Sequence, residues 1–440
     1  MSRCTQVLAA VVLSLTAAGA EAQDTLRLAE LQAAALRADP RAGQLDLHRS
    51  AAELRLAVLG SERLPQFTLN GWASHQSDVP RPTLSLPGTG FPDLPKDRWE
   101  STVDVQQLLY DGGHISRERE LERARLAESE AGVKTDLYSL RSDVNDAFFA
   151  AILFQQRSAE FEALITDLDA RLSAVRARVE AGTALRRDAA EVEAERARAL
   201  LQRDEARANR RAALATLADL VGQPVDTTAV LLLPDETGET VPAGDPDELW
   251  RLRLRPEFER FRQSRLRLER EAALAKTQNL PRVSAFGQAG VGLPGLDQFR
   301  TSSDVFWRAG IRVDWRAWTW HSAGRTAEAL RLQQRILERD EAAFARALAR
   351  GVIAHREEIQ RLTAALTEDR RILELRSAIE RQARLQHDEG TIPTAEYVDT
   401  RTDVLEARLA LQRHRVELAQ ARARYLTTLG LASFPGAKTP

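Results

Sequence analysis

Two periodicities alternate along this chain. Around residues 66–70, Phe67 and Leu69 alternate with Gln66, Thr68 and Asn70, and around 102–106, Val103 and Val105 alternate with Thr102, Asp104 and Gln106. Later, Val283, Ala285, Ala289 and Val291 oppose Ser284 and Gln288. The fourth segment is the clearest: Val305, Trp307, Ala309, Ile311, Val313 and Trp315 fall on one face, and Arg308, Arg312, Asp314 and Arg316 on the other. A period of two predicts strands, over residues 65–75, 99–110, 282–292 and 305–316. Each has the length of a tilted membrane strand, with one face suited to lipid and the other to water. On this reading Trp307, Ile311, Val313 and Trp315 face lipid, and Arg308, Arg312 and Arg316 face a lumen. Those arginines either form basic rings or pair with Asp314 and Asp104 of neighbouring strands.

Between and after the strands the period lengthens. Residues 116–179 and 325–385 hold no proline and are rich in Ala, Leu, Arg and Glu. Leu137, Leu140, Val144, Ala147, Ala151 and Phe154, then Leu164, Leu168, Leu172, Val175 and Val179, recur at steps of three and four, the seam of a coiled-coil-like helix. Roughly 65 residues at about 1.5 Å each reach on the order of 100 Å, longer than any compact domain. Gly182-Thr183 and Gly390-Thr391 then turn the chain into return helices over 185–220 and 394–429, making two long antiparallel hairpins. Shorter helices are expected over 24–38, over 40–63 with Asp39 as cap, and from Pro256 up to Pro281, the last preceded by a capping-box-like Asp245-Pro246-Asp247-Glu248. Pro80, Pro82, Pro87, Gly88, Gly90, Pro92 and Pro95 mark one hairpin loop, and Pro294 and Gly295 another.

The plan is stated twice. Leu64-Pro65 and Leu280-Pro281 open alternating segments, Asp104 to Tyr110 and Asp314 to Trp320 close them, and the Gly-Thr turns follow, at a shift of about 210 residues. The expected organisation is a first structural repeat over 23–221, a linker over 222–244 that wraps the helical body, a second repeat over 245–430, and a flexible tail over 431–440.

Composition narrows the function. Arg3, the apolar run Val7 to Ala18 and Ala20-Glu21-Ala22 read as a secretory signal over 1–22, with the mature chain starting at Gln23. Cys4 is the only cysteine of the 440 residues and precedes that run, which excludes disulfides and cysteine chemistry afterwards. With 62 basic and 64 acidic residues, nothing draws the chain to nucleic acid. The histidines form no metal-ligand spacing, and no phosphate-binding glycine loop or G-x-S-x-G elbow is present, so no metal, cofactor or catalytic site is expected. Past Gln23 no apolar run reaches the length of a spanning helix, so membrane entry would require a β-barrel. Four strands cannot close a barrel, and an open edge in lipid leaves backbone groups unpaired. Copies must share it; three would supply twelve strands, and two would supply only eight, whose interior is filled by side chains.

The order of these landmarks, with Tyr110-Asp111-Gly112-Gly113 after the second strand and Leu254-Arg255-Pro256-Glu257 opening the second half, resembles the TolC-type outer-membrane efflux protein family over essentially all of the chain past Gln23. The resemblance implies a mainly α fold with a small β part: a homotrimer with a twelve-stranded barrel in the outer membrane and a twelve-helix barrel crossing the periplasm. It implies an exit duct for drugs, metals or secreted proteins, served by a periplasmic adaptor and an inner-membrane transporter. It also implies that the tips at Gly182, Thr183, Gly390 and Thr391 dock the adaptor, and that acids beyond them narrow the mouth. The matching positions are Asp188, Glu396 and Asp399. Acids in the first turns of a helix also complement its dipole, and that plainer role stands beside the first. The family's tyrosine before the second tip is His387 here and its arginine after it is Ile392, so the mouth should be held differently. The turn Trp320-His321-Ser322-Ala323-Gly324 lacks the glycine pair of the first half. The competing function is an exported structural coiled coil, a spacer or adhesin stalk, with the alternating segments as a soluble collar.

Overall fold

The computed structural model describes residues 25–79, 94–234, 254–298 and 301–431. The expected signal segment, most of the expected first hairpin loop, the Asp245-Pro246-Asp247-Glu248 start and nearly all of the expected tail lie outside these residues.

A short strand β1 (Thr25–Leu26) leads into α1 (Leu28–Ala38), a 3-10 turn (Pro40–Gly43) and α2 (Gln44–Ser61). Strands β2 (Gln66–His75) and β3 (Asp97–Tyr110) follow, then α3 (His114–Glu180) and α4 (Arg186–Val221). After β4 (Val230–Leu231) the order recurs: α5 (Pro256–Thr277), β5 (Arg282–Leu293), β6 (Asp304–Asp314), α6 (Ser322–Asp388) and α7 (Thr394–Thr428). The expected helix over 24–38 is corrected at its start. Thr25 and Leu26 pair in parallel with Val230 and Leu231, so the chain is extended there and α1 begins only at Leu28.

Local chemistry sets several boundaries. Asp39 caps the turn at Pro40 by accepting from the Arg41 N–H at 2.8 Å. The Asp111 carboxylate accepts from the Gly113 N–H at 2.8 Å and the Ile115 N–H at 2.7 Å, which fixes the start of α3. Gly112 and Gly113 hold φ of 69° and 81°, the left-handed region that favours glycine. In the second half Trp320 and His321 take the same region, with φ of 52° and 58°. The missing glycines therefore leave the turn's shape intact, with backbone strain on two bulky residues.

The four long strands form one antiparallel sheet in the order β2-β3-β5-β6. Its register puts Phe67, Val105, Gly287 and Ala309 in one row and Leu69, Val103, Ala289 and Trp307 in the next. All odd-numbered positions of β2, β5 and β6 therefore share a face, as do those of β3 up to a bulge between Leu108 and Tyr110. The last strand ends earlier than its sequence pattern. Alternation continues past Asp314, but Asp314 already faces Arg282, the first residue of β5, so no partner remains for the residues beyond. Trp315 and Arg316 thus lie past the strand, and the Trp315 indole N–H donates to the Asn279 carbonyl at 3.0 Å.

Close backbone approach marks one position in the sheet. A Cβ on Gly290 would meet the Ser101 carbonyl oxygen at 2.5 Å and Thr102 Cγ2 at 2.6 Å. Gly290→Val should force β3 and β5 apart, destabilise the fold by about 1–3 kcal/mol, and lower the thermal midpoint followed by circular dichroism.

The helices pack in two tiers. Nearer the sheet the order is α2, α3, α5, α6; towards the tips it is α4, α3, α7, α6. Between them lies the largest core cluster, where Phe148 and Phe149 meet edge to face at 5.3 Å among Leu28, Leu217, Leu231 and Val416. That cluster joins α1, the linker strand β4 and helices from both halves. Among the described residues, β4 lies against the helical body. No described helix is long and apolar enough to cross a membrane.

Candidate functional site

Both hairpin tips are built by the same few atoms. At the first, Gly182 (φ 75°) donates its N–H to the Val179 carbonyl at 3.1 Å, and Thr183 donates its N–H at 2.9 Å and its hydroxyl at 3.1 Å to the Arg178 carbonyl. At the second, Gly390 (φ 75°) donates to His387 at 3.0 Å, and Thr391 donates both groups to the Gln386 carbonyl at 2.8 Å. The left-handed glycine ends the helix, and the threonine satisfies carbonyls the helix leaves open. This explains why Gly-Thr occurs at both turns.

The acids beyond the tips differ in use. Asp188 accepts from the Leu185 N–H at 3.1 Å, so its carboxylate caps α4. Glu396 and Asp399 are exposed, three residues apart on one side of α7, and make no ion pair among the described residues.

Between them, facing inward, lies a residue that counting acids passed over. Tyr397 is buried, donates its hydroxyl to Glu380 of α6 at 2.9 Å, and carries the Arg171 guanidinium of α3 at 3.6 Å from its ring centre. Arg401, one turn on, lies 2.7 Å from Asp167 of α3 and 3.4 Å from Glu380. Burial pushes the Tyr397 phenol up to about 12, against the opposing pull of Arg171, and burial likewise lowers Arg171 from the ordinary arginine value. Five side chains thus stitch the first hairpin to both helices of the second. A signal existed: Thr394, Tyr397 and Val404 continue the buried rows of α7 at helical steps.

His387 sits in the same cluster. Its ring centre is 5.3 Å from that of Tyr397, and Nε2 is 3.2 Å from the Thr394 hydroxyl. Its hydrogen bond therefore stays within the second hairpin, and the contact to α3 runs through Tyr397 and Arg401 instead. Ile392 is half-buried.

On the sheet, Val305, Trp307, Ile311 and Val313 are each more than 60% exposed, so the apolar face is uncovered. The other face carries Thr68, Asp104, Gln288 and Arg308 in one row. Asp104 accepts from Asn70 and from Thr102, and Arg312 lies over the Phe286 ring at 5.2 Å. Neither arginine pairs with Asp104 or Asp314 among the described residues.

No family model and no curated protein sequence matches the chain. Solved structures do. The CusC channel is 14% identical with a TM-score of 0.71 over 92% of each chain. The outer membrane protein VceC of Vibrio cholerae is 15% identical, with a TM-score of 0.68 over 92% of this chain and 96% of that one. The MtrE outer membrane channel of Neisseria gonorrhoeae, solved in its open state, is 18% identical, with a TM-score of 0.68 over 93% of this chain and 90% of that one. This chain has the TolC-type fold.

Within the TolC-type fold the free flanks of this chain coincide. β2 and β6 are the sheet's two edges, and α2 and α6 bound the tier of helices nearer the sheet. Leu47, Leu54 and Val58 on α2, and Leu332 and Ile336 on α6, are exposed at spacings that keep each set on one side of its helix. Lower down, α6 exposes Ile372, Leu375 and Ile379, and α4 exposes Leu201.

Proposed function

We propose that this protein is an outer-membrane exit duct: three copies close a twelve-stranded barrel in the membrane and a helical barrel below it, through which solutes leave a Gram-negative cell. The observation that carries the reading is a four-stranded sheet with one bare apolar face and two unpaired edges. In lipid those edges must pair, and head-to-tail pairing of β6 with β2 of the next copy also brings the apolar row of α6 towards that of α2. Such a heterologous contact closes into a ring, and three copies leave an open bore where two would not. A soluble collar would bury the Trp307 face, and none of the described elements covers it.

In this reading residues 1–22 export the chain, and residues 23–221 and 245–430 are two structural repeats joined by the 222–244 linker. Arg308 and Arg312 line the outer barrel, with Arg316 just past the strand, and Trp315 at the lipid-facing base. The tips at Gly182, Thr183, Gly390 and Thr391 meet a periplasmic adaptor, which couples the duct to an inner-membrane transporter and chooses the cargo. Glu396 and Asp399 ring the periplasmic mouth, with Asp188 near them as a cap. Carboxylates repeated around a narrow opening attract cations.

Purified protein in planar bilayers tests this. It should conduct, and divalent cations added on the tip side should block it. Asp399→Ala should raise single-channel conductance and weaken the block several-fold. A protein that forms no conducting path contradicts the duct, and an unchanged block removes Asp399 from the mouth.

A further inference from the structure

His387 is a titratable side chain beside the place where the two hairpins meet, and the duct reading leaves it unused. Its side chain is 10% exposed, and its Nδ1 is buried without a hydrogen-bond partner. The ring lies against Tyr397, and Tyr397 is the residue on which Arg171 of the other hairpin rests. The charged groups around it come from three helices. From α3, Arg171 and Arg178 act on it, with Asp167 engaged by Arg401. From α7 come Tyr397 and Arg401, alongside the Thr394 hydroxyl. Its own helix supplies Asp388, whose carboxylate is 3.6 Å from Nδ1, Arg384 a turn back, and Glu380, already held by Tyr397.

We infer that His387 makes the contact between the hairpins proton-sensitive: a proton taken up on Nδ1 adds a further cation to the Arg171 and Arg401 pair and releases α3 from α6 and α7. Asp388 and the C-terminal end of α6 favour the imidazolium. Burial, first, and the Arg171 cation, second, disfavour it more, and hold the histidine below its ordinary value. The sign follows by linkage. With the ring docked and its proton affinity lowered, the bias towards the docked state is fully present above the ordinary histidine value. It is lost as pH falls below that value towards the docked one. Acid therefore loosens the tip. Three copies around one mouth would make the response steeper than a single titration.

The inference rests on the duct reading, and two readouts keep their failures apart. In planar bilayers, opening frequency should rise several-fold between pH 8 and pH 5, and His387→Asn, which keeps a polar partner for Thr394 and cannot titrate here, should be flat. Spin labels at Ala184 and Ala395 on the full chain in detergent should separate or broaden in distance over the same range, and stay fixed in His387→Asn. A protein that never conducts but whose label distance follows pH through His387 overturns the duct and keeps the switch. A conducting protein whose opening ignores pH, or whose His387→Asn form responds like the parent, overturns the switch.

Discussion

Ile311→Arg is expected to abolish assembly in the outer membrane. Ile311 lies on β6 and is 69% exposed, in an odd-numbered row that continues through Ala285 of β5 to Gln107 of β3. A cation on the lipid face of a barrel costs roughly 2–4 kcal/mol near the bilayer midplane, and a closed assembly repeats the cost in every copy. The measurement is the heat-modifiable oligomer in outer-membrane fractions, which should disappear while chain accumulates as aggregate or degraded protein. Arg312→Gln, one residue along and on the opposite face, should leave the oligomer in place. Equal tolerance of both changes would mean that the apolar face never meets lipid.

The second large effect is expected at the tips. Arg401→Ala removes the group that joins Asp167 of the first hairpin to Glu380 of the second. Glu380 keeps the Tyr397 hydroxyl, whereas Asp167 loses its cation. The Asp167 contact is an ion pair without hydrogen-bond geometry, and the Glu380 contact is a charged hydrogen bond; such a bond is worth roughly 1.5–3 kcal/mol, and partial exposure of Arg401 argues for the lower end. The hairpins should part more often, so single-channel conductance and open time in planar bilayers should both rise. Tyr397→Phe, which removes only the hydroxyl and keeps the ring under Arg171, should move the same quantities less. Conductance unchanged in Arg401→Ala would show that the cluster supports the helices without governing the opening.

Much of this was legible because its signals are local. A period of two located all four strands, helix-forming runs without proline located both long hairpins, and Gly-Thr marked the turns whose hydrogen bonds now explain it. Where the reading went astray, a distant partner decided. Thr25 and Leu26 are extended because Val230 and Leu231 lie beside them. Trp315 and Arg316 leave the sheet because β5 starts at Arg282, which no pattern within the fourth segment could reveal. At the tips, counting from the glycines found exposed acids but not Tyr397, whose importance comes from Arg171, far away in sequence. In the sequence His387 stands out only as a departure from a pattern; its place against Tyr397 depends on how α6 and α7 pack together.

α3 and α6 have the same length, 67 residues each. Both spring from the base of one sheet and climb at one rise per residue, so their turns finish at nearly the same depth. A ring of such chains would end in a level rim, a flat seat on which a partner could bear evenly. Adding one heptad to each of α3 and α4, on the tip side of Asp167 and Arg171, would lift half of that seat by about 10 Å, keeping the contacts to Arg401 and Tyr397 and yet spoiling the fit.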